Sequence, residues 1–135
     1  LRQNIEEWRS EFRDSFRANL LAVRDEVEDT HRVEIEAVIR DDAPIDPNLS
    51  AAIEAAREAM ANAAKHSGSP NITLYSEFAN GEAHIHVRDS GTGFADDGQR
   101  NRVHERLARR VENVGGLVEI DTAESGTEVK ITVQK

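Results

Sequence analysis

Four side chains near the end of an alanine-rich stretch, Glu58, Asn62, Lys65 and His66, have the types and spacing to meet a metal-bound polyphosphate. Glu58 and Asn62 are four residues apart and so share one face of a helix, and Lys65 and His66 follow one turn later. An amide carbonyl is a hard oxygen that suits magnesium, an ion that takes few protein ligands and keeps its waters. An ammonium and an imidazole can meet phosphate oxygens. The bland alternative is a solvated helix face carrying a Glu–Lys pair, and taken alone the stretch fits that better.

Two further segments bear on a ligand. Asp89-Ser90-Gly91-Thr92-Gly93-Phe94 follows directly on a strand pattern. Its two glycines let backbone approach a planar ligand, and Asp89 can accept a hydrogen bond from an exocyclic amine. A ligand without that donor leaves a buried carboxylate unpaired, which makes the choice selective. The segment is neither a GxxxxGK[ST] phosphate loop nor a GxGxxG dinucleotide turn, and many hairpins end in a Gly-rich turn. Ser125-Gly126-Thr127 leads into the last strand. By itself it is a plain β-turn, although the Thr127 hydroxyl can reach a base edge.

The elements that must position these residues follow from periodicity. Ile5, Trp8, Phe12, Phe16, Leu20, Val23 and Val27 recur at helical steps, giving one long helix to about Thr30 or two with a break near Asp14–Ser15. Val33–Ile39 alternates as a strand, and Leu49–His66 is helical with Pro47 near its start. Strands are predicted over Asn71–Phe78 and Glu82–Asp89, joined by an Asn80-Gly81 hairpin turn. Ser90–Arg100 reads as loop, Arg102–Val114 as an amphipathic helix closed by Gly115-Gly116, and Leu117–Asp121 and Thr127–Val133 as a final hairpin. This order predicts an α+β two-layer sandwich, a mixed β-sheet with helices on one face.

Composition narrows the classes. The chain has 135 residues, enough for one domain, and its 38% hydrophobic and 32% charged content is that of a globular protein. With no cysteine, disulfides, thiolate metal sites and cysteine nucleophiles are excluded. A formal net charge of −9 disfavours nucleic acid and anionic membranes as partners. No stretch approaches the roughly 18 apolar residues of a membrane helix. The chain opens inside a helical pattern without an initiator Met, so we expect it to be a piece of a longer protein.

Taken together, the three segments resemble the GHKL ATPase superfamily, specifically the catalytic and ATP-binding domain of bacterial sensor histidine kinases. Arg57–Ser67 resembles the N box of the subgroup whose response regulators carry LuxR-type DNA-binding domains, Asp89–Phe94 the G1 box, and Gly126-Thr127 the Gly-Thr before the last strand. The resemblance covers roughly Asp25 to the C-terminus, which sets expected boundaries of 1–24 for a helical stub from a preceding dimerisation or linker region and 25–135 for the catalytic domain. It implies a Bergerat-type ATP-binding fold with ATP and Mg2+ as cofactors. Asn62 would ligate magnesium, and Glu58 would order the metal's water or the reacting centre. Lys65 and His66 would touch phosphates. Asp89 would hold the adenine amine, Gly91 and Gly93 would shape its pocket, and Thr127 would back the base through water. The γ-phosphoryl group would pass to a histidine on a separate dimerisation domain and then to a response regulator. Catalysis of this kind is mostly positioning and charge neutralisation. The parent would be membrane-anchored, with this domain in the cytoplasm and making no direct membrane contact.

The chain departs from the pattern in two places. Between Phe94 and the helix expected near Arg102 the family has a longer lid ending in a GxGL-like box, of which Gly98 would be a remnant. The phosphoacceptor is the other absence. Of His31, His66, His84, His86 and His104, only His31 ends the first helix, and Arg32 stands where an acidic residue follows the acceptor in this subgroup. His84 and His86 alternate on a strand, as a metal pair or as plain surface or core histidines. The chain is therefore expected not to phosphorylate itself. Alternatives are an anti-sigma-factor serine kinase, a non-catalytic or degenerate nucleotide-binding module, and a protein-binding domain with no ligand.

Overall fold

The computed structural model describes residues 14–66, 71–90, 97–123 and 126–135; the side chains of His66, residues 97–101 and Ala123 lie outside that description. Along the chain run α1 (Phe16–His31), β1 (Glu34–Ile39), α2 (Pro47–His66), β2 (Asn71–Ala79), β3 (Glu82–Asp89), α3 (Asp97–Glu112), β4 (Leu117–Ala123) and β5 (Gly126–Gln134). The strands form one mixed sheet in the order β1-β2-β3-β5-β4, parallel between β1 and β2 and antiparallel elsewhere.

Strict alternation decides which face meets the helices. Ile35 and Ile39 of β1, Ile72 and Leu74 of β2, Ala83, Ile85 and Val87 of β3, and Val129, Ile131 and Val133 of β5 are buried, with polar residues between them. The helices answer at helical spacing: Phe16, Leu20, Val23 and Val27 from α1, Leu49, Ile53, Ala56 and Met60 from α2, and Val103, Leu107 and Val111 from α3. The fold is the expected two-layer α+β sandwich, with the helices on one face of the mixed sheet. Among the described residues no helix is long and apolar enough to cross a membrane.

Among the described residues α1 starts at Phe16, with Ser15 outside it in extended conformation. Ser15 is an extended N-cap whose hydroxyl accepts from Ala18 N–H, and it also donates to both carboxylate oxygens of Asp42 at 3.0 and 2.9 Å. Phe16 N–H and Ile45 N–H bond to the Ala43 and Asp14 carbonyls, so the β1–α2 connection pins the start of α1. Trp8 and Phe12 lie outside the described residues. The 24/25 boundary falls within α1, whose Phe16 and Leu20 share one core with Val27 and the sheet.

Both edge strands are covered by helix side chains, which blunts edge-to-edge pairing. On β1, Ile35 N–H donates to Glu28 Oε2 at 2.8 Å, while Arg24 and Arg17 donate to the Ile35 and Ile39 carbonyls, each at 3.1 Å. On β4, His104 Nε2 meets the Val118 carbonyl at 3.0 Å.

One element begins earlier than its sequence pattern. α3 starts at Asp97, so 97–100, read above as loop, is helical and Gly98 lies in the first turn. The acidic Asp97 suits a helix N-terminus, and that local preference outweighs the glycine.

Candidate functional site

The apolar rows of β3 and β5 end in two polar residues. Asp89 and Thr127 are directly paired across these strands and continue the inward-facing period, so both side chains enter the helix layer at 7% and 6% exposure. Thr127 Oγ1 is buried with no hydrogen-bond partner. Gly126 makes the pairing possible. Its φ of 139° is one that L side chains rarely adopt, and an added Cβ would collide with the Asp89 carbonyl. The Gly-Thr dipeptide is therefore a packing requirement: glycine to let β5 close on β3, threonine to bring a hydroxyl beside the carboxylate.

The second half of the site lies on α2, which packs on β3 and β5. α2 ends at His66 and β2 starts at Asn71, at most about 18 Å of extended chain away. Ile72, next along, is paired with Asp89. The last turns of α2 therefore sit at the same end of the sheet as Asp89 and Thr127. Glu58 and Asn62 share a face there, and each has a buried polar atom without a hydrogen-bond partner, Glu58 Oε2 and Asn62 Nδ2. Leaving such atoms unpaired costs stability, and the cost is recovered when a ligand or water meets them.

Glu58 does not make the Glu–Lys pair that the helix pattern allows. Its Oε1 accepts from Arg106 Nη1 of α3 at 3.1 Å. One turn back, Glu54 meets Arg110 of α3 at 3.5 Å and Arg57 of its own helix at 3.8 Å, and Arg57 reaches Glu26 of α1 at 3.1 Å. Arg106 was missed from sequence because its partner is 48 residues away. The signal available was the four-residue spacing of Arg102, Arg106 and Arg110 against that of Glu54, Glu58 and Asn62.

Lys65 is exposed near the end of α2, and the His66 side chain lies outside the described residues, as do Gly91 and Gly93. Among the described residues no three His, Asp or Glu side chains gather as a metal site. His84 and His86 stand on the outer sheet face with other partners: His84 Nδ1 is 3.3 Å from Thr132 Oγ1, and His86 Nδ1 is 3.0 Å from Glu128 Oε1. That contact, outweighing the opposing effect of burial, holds the Glu128 carboxyl below its ordinary value. A cleft of about 460 Å³ beside β1 and β2 is lined by Glu28, Glu34 and Glu36, a charge set that repels phosphate.

No protein-family model matches the chain, and no curated protein does. Solved structures do. A histidine kinase domain from the Erythrobacter litoralis EL346 blue-light activated histidine kinase superposes with a TM-score of 0.69 at 18% identity, over 85% of this chain and 58% of that one. The Acinetobacter baumannii histidine kinase AdeS gives 0.68 at 13% identity, over 88% and 62%. The mycobacterial sensor histidine kinase MprB gives 0.69 at 18% identity, over 89% and 95%. This chain thus spans less than two thirds of the Erythrobacter and Acinetobacter structures. At these identities the likeness is one of architecture, and the chain has the fold of these histidine kinase domains.

Proposed function

We propose that the chain is the ATP-binding catalytic domain of a two-component sensor histidine kinase. The observation that carries this reading is the set of buried polar atoms gathered at one end of the sheet: the Asp89 carboxylate beside Thr127 Oγ1, and Glu58 Oε2 with Asn62 Nδ2 on α2. The donor set fits an adenine nucleotide with magnesium. Asp89 accepts from the adenine amine, and the Thr127 hydroxyl supports the base through water. Asn62 would hold magnesium through its amide oxygen, leaving the buried Nδ2 to donate to a phosphate oxygen. Glu58, held through one oxygen by Arg106, keeps the other to orient the metal's water or the reacting centre. Lys65 and His66 take phosphate oxygens, and Gly91 and Gly93 give backbone room beside the base. Bound ATP supplies the γ-phosphoryl group, and a histidine on a separate dimerisation domain accepts it as the bond to ADP breaks. A response regulator, of the kind carrying a LuxR-type DNA-binding domain, takes it next. We place the domain in the cytoplasm, on a membrane-anchored parent.

One observation favours a second reading. Only residues 90–96 separate β3 from α3, little chain to fold over a triphosphate, which suits a nucleotide-binding module without transfer activity. Titration with a non-hydrolysable ATP analogue, with and without magnesium, tests the metal assignment. The parent chain should bind with a dissociation constant of about 1 µM to 1 mM, more tightly with magnesium, and Asn62→Ala should lose the magnesium effect while keeping the weaker metal-free binding. A magnesium effect that survives in Asn62→Ala removes Asn62 from the metal site. Transfer to an added histidine-bearing dimerisation domain, absent in the second reading, separates the two.

A further inference from the structure

α2 and α3 face each other through a ladder of charges. Glu54 meets Arg110 and Glu58 meets Arg106, so each rung steps four residues back on α3 as it steps four forward on α2. Four residues is about one helical turn, so the stepping keeps each series on one face and the helices antiparallel. Continued by one turn on each helix, the same stepping leads to Arg102 and Asn62. Here the carboxylate is missing. Asn62 is neutral, its Nδ2 is buried and without a partner, and exposed Arg102 makes no ion pair among the described residues. Two rungs are neutralised, and the third carries an exposed guanidinium, without an ion pair among the described residues, on the rung of the residue assigned above to magnesium.

We propose that Arg102 is a phosphate-binding residue for the polyphosphate tail of a nucleoside triphosphate, an inference that rests on the nucleotide reading above. A guanidinium offers five donors in a fork that matches two phosphate oxygens at once. Arg106 and Arg110 each face a carboxylate that offsets their charge, whereas Arg102 makes no ion pair among the described residues. In a chain with a net charge of −9, an uncommitted cation at this rung supplies the local field that an anionic tail needs. Arg102 reads the tail and not the base, while Asp89 reads the base.

The test is a set of titrations with a non-hydrolysable ATP analogue and with adenosine, on the parent chain, Arg102→Ala, Arg102→Lys, Arg110→Ala and Asp89→Asn. Arg102→Ala should weaken the ATP analogue by roughly ten- to a hundred-fold, the span of a charged hydrogen bond, and leave adenosine unchanged. Arg102→Lys should recover part of the loss, and Arg110→Ala should bind as the parent does. If Arg102→Ala binds the ATP analogue as tightly as the parent while Asp89→Asn does not, the role of Arg102 is overturned and the nucleotide reading stands. Equal losses for adenosine and the ATP analogue would also overturn it, since the residue would then support the pocket and not the tail. A parent chain that binds neither ligand overturns both.

Discussion

Thr127 stands directly opposite Asp89 across β5 and β3, and both are buried in rows that are otherwise apolar. The carboxylate and the hydroxyl occupy positions that Val87 and Val129 would predict to be hydrophobic. Because Thr127 Oγ1 has no partner, replacing it by a methyl of similar shape removes a penalty without removing a bond. Thr127→Val should therefore leave the melting temperature equal or slightly higher, yet weaken adenine nucleotide binding by about 0.5–1.5 kcal/mol. Thermal melts and titrations run side by side check this. A lower melting temperature with unchanged affinity makes Thr127 structural only.

Gly126→Ala attacks the same pair from the backbone. The added methyl meets the Asp89 carbonyl at a φ disfavoured for alanine. The variant should lose about 1–3 kcal/mol of stability, the usual cost of overpacking, and lose affinity through a displaced Asp89. Chemical denaturation measures the first effect, and unchanged stability would mean that β5 shifts freely at this point.

Much of this was legible in the residues. The step of Phe16, Leu20, Val23 and Val27 gave α1, and Asn80 and Gly81, at φ 56° and 76°, form the hairpin turn that their types predict. Asp89 stands out as a carboxylate closing a strand pattern, whereas Thr127 reads by itself as part of a plain turn and is singled out only through the Gly-Thr resemblance. What was not legible depends on contacts between distant parts of the chain. No local pattern shows that β5 inserts between β3 and β4, that Asp42 ties down the start of α1, or that Arg106 holds Glu58. The early start of α3 was hidden by Gly98, a poor helix former tolerated in a first turn.

The Arg106–Glu58 pair joins an exposed guanidinium to a carboxylate with 18% of its side chain exposed. A double-mutant cycle of Arg106→Ala and Glu58→Gln should give a coupling of about 0.5–1 kcal/mol, the upper part of the range for surface pairs. A coupling near zero would mean that Glu58 is positioned without Arg106.

Two carboxyls set an acid limb of stability. Burial alone would raise Asp42, but hydrogen bonds from Arg17 N–H, Ser15 Oγ and Ala43 N–H hold it below its ordinary value of 3.8. Glu128 is held below its ordinary 4.5, chiefly by His86. A carboxyl lowered in the folded state stabilises the fold above its ordinary value, and that contribution is lost as pH falls toward the lowered one. The parent should therefore lose stability on acidification from about pH 5 downward, and Asp42→Asn with Glu128→Gln should flatten that decline. An unchanged slope in the double variant would place the acid sensitivity elsewhere.

The most direct test of the adenine site is a calorimetric titration of the parent chain and Asp89→Asn with a non-hydrolysable ATP analogue in the presence of magnesium. Asparagine keeps the shape of aspartate but loses the charged acceptor. The predicted result is measurable binding by the parent and a loss of about 1.5–3 kcal/mol or more in Asp89→Asn, with both proteins folded by circular dichroism. Equal binding by the two proteins, or none by the parent, would contradict the assignment of this end of the sheet to adenine.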